Sequence, residues 1–592
     1  MEIDSNQISF CCLTSGFLAL GAFKSLKAYL NSLKTKNKKT IKDPKQIEVW
    51  INSYSSFNSV VSFIGFATET YYYGSRLLIN LVAISMGYIV AFLILQPFFY
   101  DMGVKTPYEY LQKRYGNRLI CRTTSAFIGI IFHISFSTLF LWANATILST
   151  IFPDLNLSTS IIVIGCISVV FAISGGLLQS MYINSFQLII FLFGILSALC
   201  IASILPGDAF SYYWKMAQTN NRLNFIVTSG DLTVRYTIWN QIFSLFIPWC
   251  GFHGLLIPNV NRYKQIKPKL NSRIFIISQL PIMFIINTVA VFCGVFSYIT
   301  FYNCDPYLSD QLQNKNQIAS YFLIRVINQK LPSVAGLCLS SLFVQGIMQH
   351  SFGISLTVQI FINDIINPIL MAKWKRNLKL ISLNILKPIL VILIGILSIL
   401  YSISFQYVKN SILSLFFLFN NSINSPLFAL FLLSMFNPYA NHFGALSSFI
   451  IVLGINFWLG ISAVTTSIAN PKSQEFIQNT SGCSNSSVIK FVNTSVTYTP
   501  DNQTLFYLYS ISSIWYCLFS LVFILIFGSL NSLLYSLIMK RKVDLDDSYK
   551  TEREKYLFSF KKNFYLKRCK NKKKFYSCEI NSEDKEFMDT QL

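Results

Sequence analysis

Charge is what this chain lacks. Only 12% of its 592 residues are Asp, Glu, Lys or Arg, where ordinary globular chains carry about 25%. A soluble fold of this length would not have the polar side chains to cover its own surface. Histidine is scarce as well: His133, His253, His350 and His442 are the whole set, too few and too dispersed to suggest a metal-dependent enzyme. The 13 cysteines are scattered, mostly through apolar stretches, without metal-ligand spacing. They read as small core residues that give no disulfide framework. With no nucleophile–base or metal pattern, the chain is expected not to be an enzyme and to need no cofactor.

What is abundant is hydrophobic surface: 53% of residues are apolar and Phe alone contributes 53. Runs long enough to cross a bilayer, about 20 residues each, recur thirteen times. They cover roughly 7–23, 50–73, 77–100, 119–150, 158–177, 181–205, 238–258, 274–302, 335–366, 383–406, 411–436, 443–467 and 505–539. Lys24 and Lys27 mark an early end for the first. The expected class is an all-α polytopic membrane protein, with the bilayer as partner.

The net charge of +23 would suggest nucleic acid in a soluble chain, but here its distribution decides. Thirty-seven of the 48 Lys and Arg fall in 24–45, 101–122, 259–273, 367–382 and 540–592. Thirteen spans put all five segments on one side, and the positive-inside rule makes that side cytoplasmic. No nucleic-acid partner is expected. Between the last two spans stand four N-glycosylation sequons, at Asn479, Asn485, Asn493 and Asn502, which matter only on the opposite side. The expectation is a multi-pass plasma-membrane protein with its N-terminus outside and its C-terminus inside.

Polar groups inside spans are costly and therefore informative. The second span opens Ile51-Asn52-Ser53-Tyr54-Ser55-Ser56-Phe57-Asn58-Ser59 and continues to Ser62 and Glu69. Such a segment reads as a broken helix lining a cavity at the midplane. The ninth span carries Gln345, Gln349, His350, Ser351, Ser355, Gln359, Asn363 and Asp364, and the eleventh carries Asn420-Asn421-Ser422 before Pro426. Three polar-interrupted spans suit a transport pathway. For any one of these residues, hydrogen bonding between neighbouring helices is the competing role.

In order along the chain, Thr106-Pro107-Tyr108-Glu109-Tyr110-Leu111 with Arg114-Tyr115, Ser174-Gly175-Gly176, Asp231-Leu232-Thr233, Cys304-Asp305-Pro306, Leu331-Pro332-Ser333-Val334-Ala335-Gly336 and Met435-Phe436-Asn437-Pro438-Tyr439 resemble the sodium/solute symporter family. The likeness is to its branch of monocarboxylate, multivitamin and iodide carriers. The resemblance implies a leucine-transporter-type fold of two inverted five-helix repeats. The division would be 1–49, an extra helix and basic loop; 50–205, the first repeat; 206–237, an outer loop; 238–442, the second repeat; 443–539, two accessory helices with the sequon loop; and 540–592, a basic tail.

It also implies Na+ as coupling ion, bound where the second and ninth spans meet. By position, Ser55 and Asn58 would supply carbonyls. The family's small residue and hydroxyl pair land on Gln345, Met348 and Gln349, and its acidic residue after the Gly-Gly turn becomes Asn184. Its Asn-Gln pair in the seventh span becomes Leu256-Ile257. A thioether is a poor ligand for a hard cation. The substrate pathway would include Phe57, Ser62, Phe252, His253 and His350, with the two histidines able to meet a carboxylate or a proton. The leading expectation is sodium-coupled symport of a small organic anion, a monocarboxylate or vitamin-like carboxylate, by alternating access. Beside it stand the same fold with sodium coupling lost, as uniporter or proton-coupled carrier, and a non-transporting sensor.

Overall fold

The structure is a computed structural model that describes residues 5–34, 49–50, 54, 59–173, 181–204, 209–374, 380–407, 411–466, 476, 478–483, 508–538 and 557. Ser55, Phe57 and Asn58, the Ser174-Gly175-Gly176 turn, three of the sequons (Asn485, Asn493, Asn502) and nearly all of the tail lie outside them. Among the described residues every regular element is a helix.

Each of the thirteen apolar runs contains one. We label them α1 (Ser5–Lys34), α2 (Val60–Tyr73), α3 (Ser75–Asp101), α4 (Leu119–Ile151), α5 (Leu157–Ile173), α6 (Met181–Ile204), α7 (Asn240–Gly254), α8 (Lys269–Thr300), α9 (Val334–Trp374), α10 (Leu380–Ser404), α11 (Ile412–Phe436), α12 (His442–Thr466) and α13 (Ser513–Ile538). Ten are long and apolar enough to cross a membrane, eleven counting the bent α7. The remaining two, α2 and α5, have 14 and 17 residues. Lys24 and Lys27 do not end α1, which runs on to Lys34.

The core is a bundle in which α4 packs along α9, α2 along α8, α3 along α7 and α5 along α10. Small residues permit the closest of these approaches. A Cβ on Gly87 of α3 would stand 2.8 Å from Cβ of Trp249 and 2.9 Å from its carbonyl carbon, so this pair of helices meets only because Gly87 has no side chain. Gly74 closes α2 at φ +78°, a left-handed conformation that glycine adopts without steric cost. The carbonyl of Arg222 lies where its Cβ would point.

The long helices are interrupted rather than uniform. Wide π turns occur at Ala91–Leu95, Asn240–Ser244, Phe361–Ile366 and Asn420–Asn424, in α3, α7, α9 and α11. After Gly254, α7 stops at Leu255 and Leu256 and resumes as Ile257–Gln265, bent by 52°. Pro258, lacking an N–H, is tolerated in the first turn of the second piece.

The cysteine reading needs correction. Cys304, after α8, and Cys483, in the loop between α12 and α13, form a disulfide across 179 residues of sequence. Neither has a cysteine near it in the chain, and only the fold brings the two loops together. The pairing is reinforced by main-chain bonds from Asp305 N to Asn479 O at 3.0 Å and from Gly482 N to Asn303 O at 2.9 Å. Asp305 also accepts from the N–H of Tyr307 and of Leu308 at 2.9 and 2.8 Å and from the hydroxyl of Tyr71 at 2.8 Å. Burial pushes this carboxyl above its ordinary pKa, although those donors pull the other way.

Candidate functional site

At the start of α2, helices α2, α4, α7, α8, α9 and α11 enclose a cavity of about 180 Å³. Ser59 makes the first turn of α2 possible here: its backbone is extended and its side chain accepts from Ser62 N at 3.4 Å. Aromatic rings form much of the wall. Phe136 of α4 meets Phe252 of α7 edge-on, with centroids 5.7 Å apart, and lies 5.6 Å from Phe416 of α11.

Polar groups interrupt this wall at Ser62, Asn287 and Gln349 and at the rings of His133 and His253. His253 is stacked on Tyr88 with centroids 3.7 Å apart and on Trp249 at 5.6 Å. His133 and His253 are each 4% exposed, and the Nε2 atom of each is itself buried and has no hydrogen-bond partner among the described residues. Arg262, on the helix beyond the α7 bend, is the one charged side chain among the described lining residues, and no carboxylate is among them.

The structure therefore gathers Ser62, Phe252, His253 and Gln349 around one cavity. Gln345 and Met348 are buried elsewhere on α9, and the Met348 methyl packs against Gly21 of α1, where an added Cβ would lie 3.3 Å from it. His350 faces α10, with Nε2 3.1 Å from Ser398 Oγ. Asn184 lies in the first turns of α6, its side chain outside the described residues. Leu256 sits at the bend and Ile257 starts the next helix. His133, Arg262 and Asn287 were not singled out from the sequence. His133 and Asn287 are polar residues inside apolar runs, where the cost of burying them was the available signal, whereas Arg262 was counted only as one charge of the basic segment 259–273.

A second, larger cavity of about 830 Å³ lies on the side of the basic loops, with Lys105, Arg122 and Met371 in its wall. Both share α9, with Gln349 and Phe352 in one and Gln359 and Asn363 in the other, and both share Ile257–Gln265. Its wall holds Asp364, which the π turn at Phe361–Ile366 presents to Arg122 at 2.8 Å and to the Thr106 hydroxyl at 2.6 Å. Thr106 also caps Pro107–Arg114 by accepting from Glu109 N. This short helix, α4 and α9 are thus joined at one carboxylate.

A matching junction lies on the opposite face, toward the disulfide. Glu69 of α2 is fully buried and its Oε1 is 2.5 Å from Arg235 Nη2. It accepts from the Tyr236 hydroxyl at 2.6 Å and from Ser411 at the cap of α11. Arg235 also lies over the ring of Tyr73, 4.2 Å from its centroid. The lead-in to α7 and the start of α11 are held to α2 through this one carboxylate.

Part of the polar run in α11 bonds to neighbouring helices. Asn424 donates to Pro248 O at 3.2 Å and to Asn420 Oδ1 at 2.9 Å, and Asn421 donates to Ser513 O at 3.2 Å. These bonds tie α11 to α7 and α13.

Residues 46–452 match the family model described as sodium:solute symporter family; α1 and α13 fall outside the matched stretch. The human sodium-coupled monocarboxylate transporter 1 is 24% identical over 526 residues, covering 87% of this chain and 84% of that protein. The human sodium/iodide cotransporter is 23% identical over 418 residues, covering 70% and 63%. Among solved structures, a Na+-coupled sialic acid symporter in a substrate-bound outward-open state superposes with TM-score 0.63 over 90% of this chain and 98% of that one, at 16% identity. At that identity the likeness is one of fold.

Proposed function

Because the chain belongs to the sodium:solute symporter family, we propose that it is a secondary active transporter carrying a small organic anion together with Na+ by alternating access. The central cavity is the observation that carries this reading. Its only charged lining group among the described residues is the Arg262 guanidinium, which attracts an anion and repels a cation. At about 180 Å³ it is smaller than the usual drug-sized pocket of about 300–1,000 Å³ and suits a solute of a few heavy atoms. The two named relatives carry a monocarboxylate and iodide, both anions.

The carboxylate junctions at the two ends suit the two gates of such a cycle. Glu69 holds the disulfide face together, while the second cavity lies on the basic face beside the Asp364 junction. We place the disulfide face outside the cell and the basic face in the cytoplasm of a plasma-membrane protein, with the N-terminus outside and the C-terminus inside. Three facts support this orientation: the clustered Lys and Arg, the sequons at Asn479, Asn485, Asn493 and Asn502, and a disulfide in the same loop, which persists in oxidising compartments.

For the coupling ion, Ser55, Asn58, Gln349 and Asn184 are the proposed positions, with carbonyl and amide oxygen as ligand chemistry. Positions 345, 348 and 349 of α9 offer no hydroxyl, which favours weakened sodium dependence as the second reading. Uptake of a radiolabelled short monocarboxylate into oocytes, with Na+ replaced by choline and with pH varied, separates the two. Loss of uptake in choline supports symport, and uptake unchanged by choline supports uniport or proton coupling. The absence of uptake of any organic anion would sink both.

A further inference from the structure

A helix ends on carbonyls that have no partner within it. In the last turn of α2, Thr70 O accepts from Gly74 N, Tyr71 O from the Arg222 guanidinium, and Tyr72 O from the Phe476 N–H at 2.9 Å. Phe476 belongs to the loop between α12 and α13, so a distant segment supplies one of the caps that close α2. Its ring lies on Gly74, where an added Cβ would come within 3.1 Å of it. Two guanidiniums pack against that ring, Arg76 at 5.0 Å and Arg222 at 4.7 Å from its centroid. Arg222 is 2% exposed and also lies 4.2 Å from the centroid of the Tyr298 ring of α8. Phe476 therefore helps to enclose a buried cation between α2 and α8.

The same loop is fastened a second time at its other end. Cys483 is bonded to Cys304, and an added Cβ on Gly482 would stand 2.9 Å from the Asn303 side chain. The fastenings differ in kind. Phe476 is half-buried, and Asn479 and Gly482 are exposed, so water competes for their main-chain bonds and each holds little by itself. The covalent bond in the same short segment keeps Phe476 at high effective concentration over Gly74. Neither Cys304 nor Cys483 is buried, which leaves a small thiol a route to that bond. Glu69 lies one turn before the capped end of α2, so the loop and the Glu69–Arg235 pair hold the same stretch of helix.

We propose that this loop is a thiol-releasable strap. Reduction of Cys304–Cys483 by an extracellular thiol frees Phe476 from Gly74 and lets the disulfide-face end of α2 open more often. One thiolate attacks a sulfur of the bond, forming a mixed disulfide and expelling the other cysteine as thiolate. A second thiol resolves the mixed disulfide, leaving two cysteine thiols and the reagent's own disulfide. The proposal rests on the transport reading and orientation above and adds a control that neither specifies.

Hydrogen exchange on the full-length protein in nanodiscs reads local opening of the strap. Mercaptoethanesulfonate, a charged thiol, should raise exchange at residues 70–76 at least fivefold. The Cys304→Ser, Cys483→Ser double variant should exchange at the raised rate without the thiol and not respond to it. A smaller rise in the wild type, or a response of the double variant, overturns the strap. Phe476→Ala keeps the crosslink and should still raise exchange there at least threefold; a lesser rise also overturns it. In cells, adding the double substitution to a Ser62→Cys background should speed labelling by an impermeant thiol reagent at least threefold. A lesser change would show that the loop does not control opening and overturn the proposal. Neither measurement uses a transported solute, so failure of the strap is told apart from failure of the transport reading.

Discussion

Gln349 and Met348 are neighbours in sequence and point to different parts of the molecule. Gln349 lines the central cavity, and the Met348 methyl packs toward α1 at Gly21. On the transport reading proposed above, a change at Gln349 reaches the ion and solute path, whereas one at Met348 disturbs packing. Gln349→Thr replaces a long amide with a short hydroxyl and should shift the half-saturating sodium concentration at least threefold. Met348→Ser should leave that concentration within about twofold, although losing buried thioether volume costs roughly 2–5 kcal/mol of stability and should lower surface expression. Sodium titrations of uptake, normalised to surface protein, check both; the reverse ranking would show that the ion path runs past Met348. The family resemblance put 345, 348 and 349 together by position, and position along a helix does not say which neighbour covers each side chain. His133 escaped notice for the same reason: its significance lies in sharing a cavity with His253, a residue 120 positions away in sequence.

Helices were more legible than contacts. All thirteen runs were visible because a bilayer demands length and hydrophobicity from each span. The bend at Leu255 and Leu256 was hidden within one apolar run. The polar residues of α11 were read as a pathway, but their amide groups bond α7 and α13. At this scale the Glu69 junction makes a distinct forecast. Removing one partner of a buried ion pair costs about 3–5 kcal/mol when the other charge is left uncompensated. Arg235 keeps its place over Tyr73 and a bond to Ser414, so Glu69→Gln should loosen the junction without releasing the loop entirely. The disulfide face should then open more often. In a Ser62→Cys background, Glu69→Gln should speed reaction with a membrane-impermeant thiol reagent added outside at least threefold. An unchanged rate would mean that the junction is structural and does not gate the cavity.

Across the whole molecule, orientation and covalent linkage make one testable statement. The disulfide was invisible in the sequence because Cys304 and Cys483 are 179 residues apart, and spacing says nothing about which distant loops meet. The charge clusters and sequons were visible because topology acts on each loop separately. If the disulfide face is outside, Asn485 and Asn493 should carry glycans removable by an amidase, and a C-terminal tag should be reachable only in permeabilised cells. The disulfide adds a sharper check. In a chain carrying a protease site inserted at 375–379, cleavage separates a piece containing Cys304 from one containing Cys483. Without reductant the two pieces should migrate together, and with reductant they should part. After mild reduction of intact cells, an impermeant maleimide should label both cysteines. Labelling that requires permeabilisation would invert the membrane topology, and pieces that part without reductant would remove the disulfide. An unfolded soluble chain would lose about 5 kcal/mol of loop entropy to such a crosslink. In a bilayer the spans between the two cysteines stay threaded, so the Cys304→Ser and Cys483→Ser pair should cost less than that. The expected sign of the loss is a modest fall in melting temperature with transport retained.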